Sequence, residues 1–246
     1  TGRDEMLVPT ILAAAIVTAT SFLGLLFFTF REKKIGHAMN LVSPLAAGLL
    51  LGSALLQLIP ASISRAVSST LAMFAVLVGI TAAILLGRTI WHHHHEAACQ
   101  VHLFSQINLL GEGIQNLVAG MMVASCFWFS ASVGLIAAAA VIVHAAVQQL
   151  GNFGFLLHGG IDKGRALGYS LASSSTAILG AVLTYFWLLA LDLGPYLLAF
   201  GAGWFVYMGA DDVLSCGGRR GKMSAAQFIL LLLGVVIVEW VAMFLV

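Results

Sequence analysis

The sequence predicts an all-α integral membrane protein of eight transmembrane helices, with both termini on the extracytoplasmic side. Three observations carry this. Charged residues make up only 9% of the 246 residues and hydrophobic ones 61%, whereas an ordinary soluble domain carries about 25% charged residues. The apolar residues fall in continuous runs without the period-two alternation of barrel strands. A bilayer core of about 30 Å takes roughly 20 such residues per helix. Finally, the basic residues are lopsided. The loops after the odd-numbered runs hold Arg31, Lys33, Lys34, Arg88, Lys163, Arg165, Arg219, Arg220 and Lys222, and the opposite side only Arg3 and Arg65. The positive-inside rule then makes the odd-numbered loops cytoplasmic, and the expected location is the plasma, or bacterial inner, membrane.

The spans are read at residues 6–30, 41–64, 71–86, 103–127, 133–157, 166–191, 196–213 and 225–246, forming one transmembrane domain over 1–246. Thr1 opens the chain without a methionine, which suggests processing or trimming, and the first apolar run is too long for a signal-peptide core. Span 1 carries the small residues Ala13–Ala15, Thr18, Ala19 and Thr20, which let helices approach closely. Span 2 holds Pro44, Gly48, Gly52, Gln57 and Pro60. Proline frees a carbonyl and kinks its helix, so Gln57 is expected to bond that freed backbone. Span 3 is short and leads into a loop, His92, His93, His94 and His95, a run suited to loose capture of zinc or copper.

Spans 4 and 5 carry the polar signal. At 3.6 residues per turn, Asn108, Glu112 and Gln115 share a face with Asn116 beside them, and His144, Gln148 and Asn152 form a second stripe with Gln149 adjacent. About five residues, Trp128 to Ser132, separate the two helices, so they are expected to be antiparallel neighbours. Such stripes must face protein or water, because facing lipid is too costly. Span 6 offers Ser170, Ser173, Ser174, Ser175 and Thr176, whose hydroxyls are expected to bond carbonyls of their own helix. Ser170 only faintly suggests an intramembrane protease. With no H-E-x-x-H, nucleophile elbow or carboxylate pair in the chain, the protein is read as not an enzyme. Span 7 ends at Asp211 and Asp212, expected to pair with the Arg219–Lys222 loop at the surface. Span 8 carries Glu239 in its outer half, where a carboxylate is a functional candidate that also lies near water. Cys99, Cys126 and Cys216 form no C-x-x-C pair, and the net charge of +1 with no basic cluster excludes nucleic acid.

On these residues the chain resembles the ZIP family of divalent-cation transporters, from about span 2 to span 7. The family's span 4 reads N-L-x-G-D-x-x-H-N-x-x-D-G. Here Asn108, Leu109, Gly111, Asn116 and Gly120 match, and Glu112 replaces the first Asp. Its span 5 reads H-E-x-P-Q-E-L-G-D-F, matched by His144, Gln148, Leu150, Gly151 and Phe153, with Val147 in place of proline. Of the span-2 pattern H-L-x-P-E, Leu58 and Pro60 remain. The stretch Leu156–Gly160 with Arg165–Leu167 resembles the family's connection between spans 5 and 6. The resemblance implies a ZIP-like bundle and often a homodimer; a place within a larger membrane complex is the alternative, with the lipid bilayer the partner in either case.

The departures fall on the ligands. Family ligand positions are occupied by Gln57, Ala61, Gln115, Ala119, Ala145, Gln149 and Asn152. The residual metal candidates are Glu112, Asn116, His144 and Gln148. A divalent cation entering a low-dielectric interior needs anionic ligands to replace its water, and zinc wants thiolate, imidazole and carboxylate. Amides instead satisfy one another as a neutral network. The residues therefore favour a transport-deficient structural or accessory subunit with a degraded metal-transport centre. The alternative is a working transporter of Zn2+ or another divalent cation through an altered, weakened site.

Overall fold

The computed structural model describes residues 2–30, 35–95, 101–158, 160–188, 193–216 and 223–245, and among these residues every regular element is helical. Ten α-helices run in chain order: α1 Gly2–Ala19, α2 Ser21–Phe30, α3 Ile35–Gly52, α4 Ile59–Arg65, α5 Ser69–His95, α6 Val101–Phe129, α7 Ala131–His158, α8 Lys163–Leu183, α9 Gly194–Cys216 and α10 Ala225–Leu245. Among the described residues eight stretches are long and apolar enough to cross a membrane: Met6–Leu26, Val42–Arg65, Ser69–Arg88, Leu109–Phe129, Ala131–Gly154, Lys163–Phe186, Gly194–Leu214 and Ala225–Phe244. These are spans 1 to 8.

Four local expectations change. Span 1 is interrupted at Thr20, whose hydroxyl bonds the Val17 carbonyl at 2.6 Å and whose N–H is shared between the Ile16 and Val17 carbonyls. Span 2 accommodates Pro60 with a π-helical stretch, Ser53–Leu58, directly before α4. A local π adjustment is one way a membrane helix re-satisfies the backbone groups that a proline frees. The backbone stays helical through His95, so the four histidines end α5 and form no loop; nothing N-terminal to them breaks the helix. Spans 4 and 5 are joined by Ser130 alone. Its hydroxyl accepts the Val133 N–H and caps α7, which makes a longer connection unnecessary.

The spans pair through glycine. Span 4 packs on span 6, span 3 on span 7 and span 2 on span 8. In the first pair a Cβ on Gly120 would overlap the Ala177 carbonyl, and one on Gly180 the Leu117 carbonyl. The backbones touch because no side chain separates them, as small-residue membrane interfaces require. Gly79 with Gly203 and Gly48 with Gly234 repeat the arrangement in the other two pairs. Span 1 lies on spans 5 and 6. The bundle thus resolves into one helix set of spans 1, 4, 5 and 6 and another of spans 2, 3, 7 and 8, meeting mainly where span 5 packs on span 2 and span 4 on span 7. Span 8 turns Phe228, Ile229, Leu232, Leu233 and Val236 outward, the all-round apolar character expected of a lipid-facing helix.

Candidate cation site between spans 4, 5 and 7

The two polar stripes meet, and they divide into two clusters. One is sealed inside the first helix set. Glu112 of span 4 is buried, and its Oε1 accepts a short hydrogen bond from Gln149 Nε2 of span 5. The same Nε2 donates to Ser174 Oγ of span 6 at 2.7 Å, and the single hydroxyl proton of Ser21 of span 1 is shared between that oxygen at 2.7 Å and the Ser170 carbonyl at 3.1 Å. Four helices are tied by this cluster. Glu112 Oε2 and Gln149 Oε1 remain buried with no hydrogen-bond partner among the described residues.

The second cluster is a relay. Gln148 Nε2 donates to Gln115 Oε1 at 2.9 Å, Gln115 Nε2 lies 3.4 Å from His144 Nε2, and His144 Nδ1 lies 2.9 Å from Asp212 Oδ2. An amide nitrogen only donates, so the ring nitrogen facing Gln115 is the acceptor. The ring proton therefore sits on Nδ1 and is given to Asp212. Asp212 thus finds its partner inside the bundle, contrary to the surface pairing expected of it. The Arg219–Lys222 loop lies outside the described residues.

Two spaces adjoin the relay. A cavity of about 400 Å3 is lined by Gln115, His144, Gln148, Asn152, Asp211 and Asp212, together with Ser43, Gly87, Trp204 and Tyr207. Ser43, Gly87, Asn152 and Asp212 all lie near the ends of spans that lead into odd-numbered loops, so the cavity belongs to that face of the bundle. Deeper in, Gln115, Asn116, Ala119, His144, Ala145 and Gln148 surround a void of about 10 Å3, closed by Leu50, Phe205 and Met208. That is about the space of one water. Asn116 is buried there, and its Nδ2 has no partner among the described residues.

Asn116, His144 and Gln148 thus share the deep void, with Gln115, Ala119 and Ala145 around it. Glu112 and Gln149 belong to the sealed cluster, and Asn152 to the cavity wall. Gln57 stands apart: its Nε2 donates to Glu239 Oε1 at 3.2 Å. The π turn re-forms the backbone ladder near Pro60, so the amide is free to reach span 8. Ala61, on α4, lines neither space. The side chains of Asn108 and of His92–His95 lie outside the described residues. Among the described residues no three His, Cys, Asp or Glu side chains converge as a metal cluster. Of the span-6 hydroxyls, Ser173 and Ser175 bond carbonyls of their own helix, as expected, whereas Ser174 joins the sealed cluster and Thr176 also reaches the Gly113 carbonyl.

A family model described as ZIP Zinc transporter matches residues 87–242. IAA-alanine resistance protein 1 of Arabidopsis thaliana is 30% identical over 137 residues, covering 54% of this chain and 29% of the relative. Zinc transporter ZIP4 of Mus musculus is 33% identical over 119 residues, 47% of this chain and 17% of the relative. Zinc transporter ZIP13 of Pongo abelii is 27% identical over 174 residues, 69% of this chain and 52% of the relative. The chain matches about half or less of the length of each of these three relatives.

Proposed function

Because the chain belongs to the ZIP zinc transporter family, we propose that it moves a divalent metal cation of the zinc type across a membrane through an altered, weakened site. The observation that carries this reading is the cavity of about 400 Å3 that leads from the odd-loop face to His144, Gln115 and Gln148. The nine-to-two excess of basic residues in the odd-numbered loops supports a cytoplasmic opening. Asp211 and Asp212 supply carboxylates on the cavity wall that spans 4 and 5 have lost. A weak site is compatible with transport, since an ion must also leave.

Reconstituted vesicles test it. Saturable zinc uptake, abolished by His144→Ala, is the expected outcome. Lack of saturable uptake of zinc, iron, manganese and cadmium would remove the transport reading. A second reading then stands: a transport-deficient structural or accessory subunit of one transmembrane domain. The void where spans 4 and 5 converge, with room for about one water and no carboxylate among the described residues that line it, favours that alternative.

A further inference from the structure

We propose that Asp212 of span 7 is the orienting carboxylate of the cation site, holding His144 so that its Nε2 lone pair faces the incoming ion. This assignment rests on the transport reading above. Two distances carry it: His144 Nδ1 to Asp212 Oδ2 at 2.9 Å and His144 Nε2 to Gln115 Nε2 at 3.4 Å. Together they fix one tautomer. The Nδ1 proton is committed to the carboxylate, and the opposite nitrogen is left as an acceptor toward Gln115. The imidazole is buried and the carboxylate half-buried, with side-chain exposures of 9% for His144 and 22% for Asp212.

Metal-ligating histidines commonly donate their other N–H to a carboxylate, which fixes the ring and raises the basicity of the ligating nitrogen. Here that partner is built in before any ion arrives. Gln115 completes the arrangement, because a half-turn of its amide brings Oε1 to face the ring, and Gln148 turns with it so that its own Oε1 accepts from Gln115 Nε2. The ion then meets one imidazole nitrogen flanked by the amide oxygens of Gln115 and Gln148, with Asn116 beside the void. Asp212 acts through the ring and is a positioning residue. The ligand class is a divalent cation taking one nitrogen and neutral oxygens, with its remaining positions filled by water from the adjoining cavity. Because His144 and Asp212 belong to different helix sets, the ring is held only while spans 5 and 7 are together.

The test is 15N NMR of the full chain labelled at histidine, in detergent or nanodiscs, with His144 identified by its loss in His144→Gln. Zinc chloride is the probe. The expected result is an Nδ1–H ring in the free protein, a zinc-induced shift of Nε2, and retention of the Nδ1 proton. Asp212→Asn should mix the tautomers and weaken zinc binding 10- to 100-fold, and Asp212→Glu should restore part of it. Loss of the Nδ1 proton on zinc binding would put the metal on Nδ1 or the proton on Nε2, and either would overturn the assignment. So would an unchanged zinc affinity in folded Asp212→Asn, while leaving transport intact. If Asp212→Asn does not fold, the wild-type proton position under zinc still decides. A His144 ring untouched by millimolar zinc in the wild type removes the transport reading and this role with it.

Discussion

Two polar clusters lie about one turn apart on the same pair of helices, and they differ in almost every respect that matters to an ion. The Glu112–Gln149 cluster is closed by spans 1 and 6 of its own helix set and borders neither space described at the site. The His144 relay reaches across to span 7 and adjoins a cavity of about 400 Å3. The amides on spans 4 and 5 therefore have two roles. In the closed cluster an amide at Gln149 knits helices together. In the relay the amides flank a histidine whose charged partner comes from elsewhere in the chain. Counting carboxylates along spans 4 and 5 misses this, because the nearest compensating carboxylate is on span 7.

The largest expected effect comes from filling the cavity. Gly151 is exposed on its wall, and Gly151→Trp should lower zinc flux at least tenfold, which corresponds to about 1.4 kcal/mol. Thermal stability in detergent should change little, because the ring occupies open space. Flux measured in vesicles beside a melting curve checks both halves. Undiminished flux would mean that the cavity is not on the ion's path and would erase the functional contrast between the clusters.

The next effect is on stability. Gln149→Leu removes the donor to Glu112 Oε1 and to Ser174 Oγ. Stranding a buried acceptor costs about 1–3 kcal/mol, so the melting temperature should fall while zinc affinity at His144 holds. A fall in affinity with an unchanged melting temperature would reverse the roles given to the two clusters.

The sequence made one side of this contrast legible and hid the other. Spans 4 and 5 announce their stripes because helical periodicity sets Glu112 beside Gln115 and His144 beside Gln148 with no knowledge of tertiary structure. The eight spans are legible for the same reason, since lipid imposes a composition on each segment separately. The His144–Asp212 contact joins residues 68 positions apart and the Gln57–Glu239 contact residues 182 apart. No periodicity links such pairs. Asp212 sits at a helix end beside a basic loop, where local reading favours a surface ion pair. The glycine pairs were likewise visible as small residues but not as partners, because each partner lies on a distant helix.

A smaller effect separates the relay's own members. Gln115→Leu takes away the acceptor of Gln148 Nε2 and the amide facing His144, yet leaves the bond between His144 and Asp212. Gln148 is only half-buried and borders the cavity, so water replaces the lost acceptor and the melting temperature should drop by less than in Gln149→Leu. Zinc affinity should weaken severalfold, since one oxygen ligand is gone and the ring stays oriented. A stability loss equal to that of Gln149→Leu would show the relay to be as closed as its neighbour.

The smallest effect tests whether any intramembrane carboxylate behaves like Glu112. Glu239 accepts from Gln57 at 3.2 Å on the outer half of span 8, and both residues are only partly buried. Glu239→Gln keeps an oxygen acceptor of the same size within reach of Gln57, so the hydrogen bond survives the loss of charge. A partly exposed bond of this kind contributes about 0.5–1.5 kcal/mol in full, and replacing its acceptor by another forfeits only a fraction of that. The melting curve of Glu239→Gln should therefore overlay the wild type, and zinc flux should match it. A clear loss of flux without a loss of stability would place a second ion-handling group between spans 2 and 8, and the contrast between a closed and an open cluster would no longer describe all the polar chemistry of the bundle.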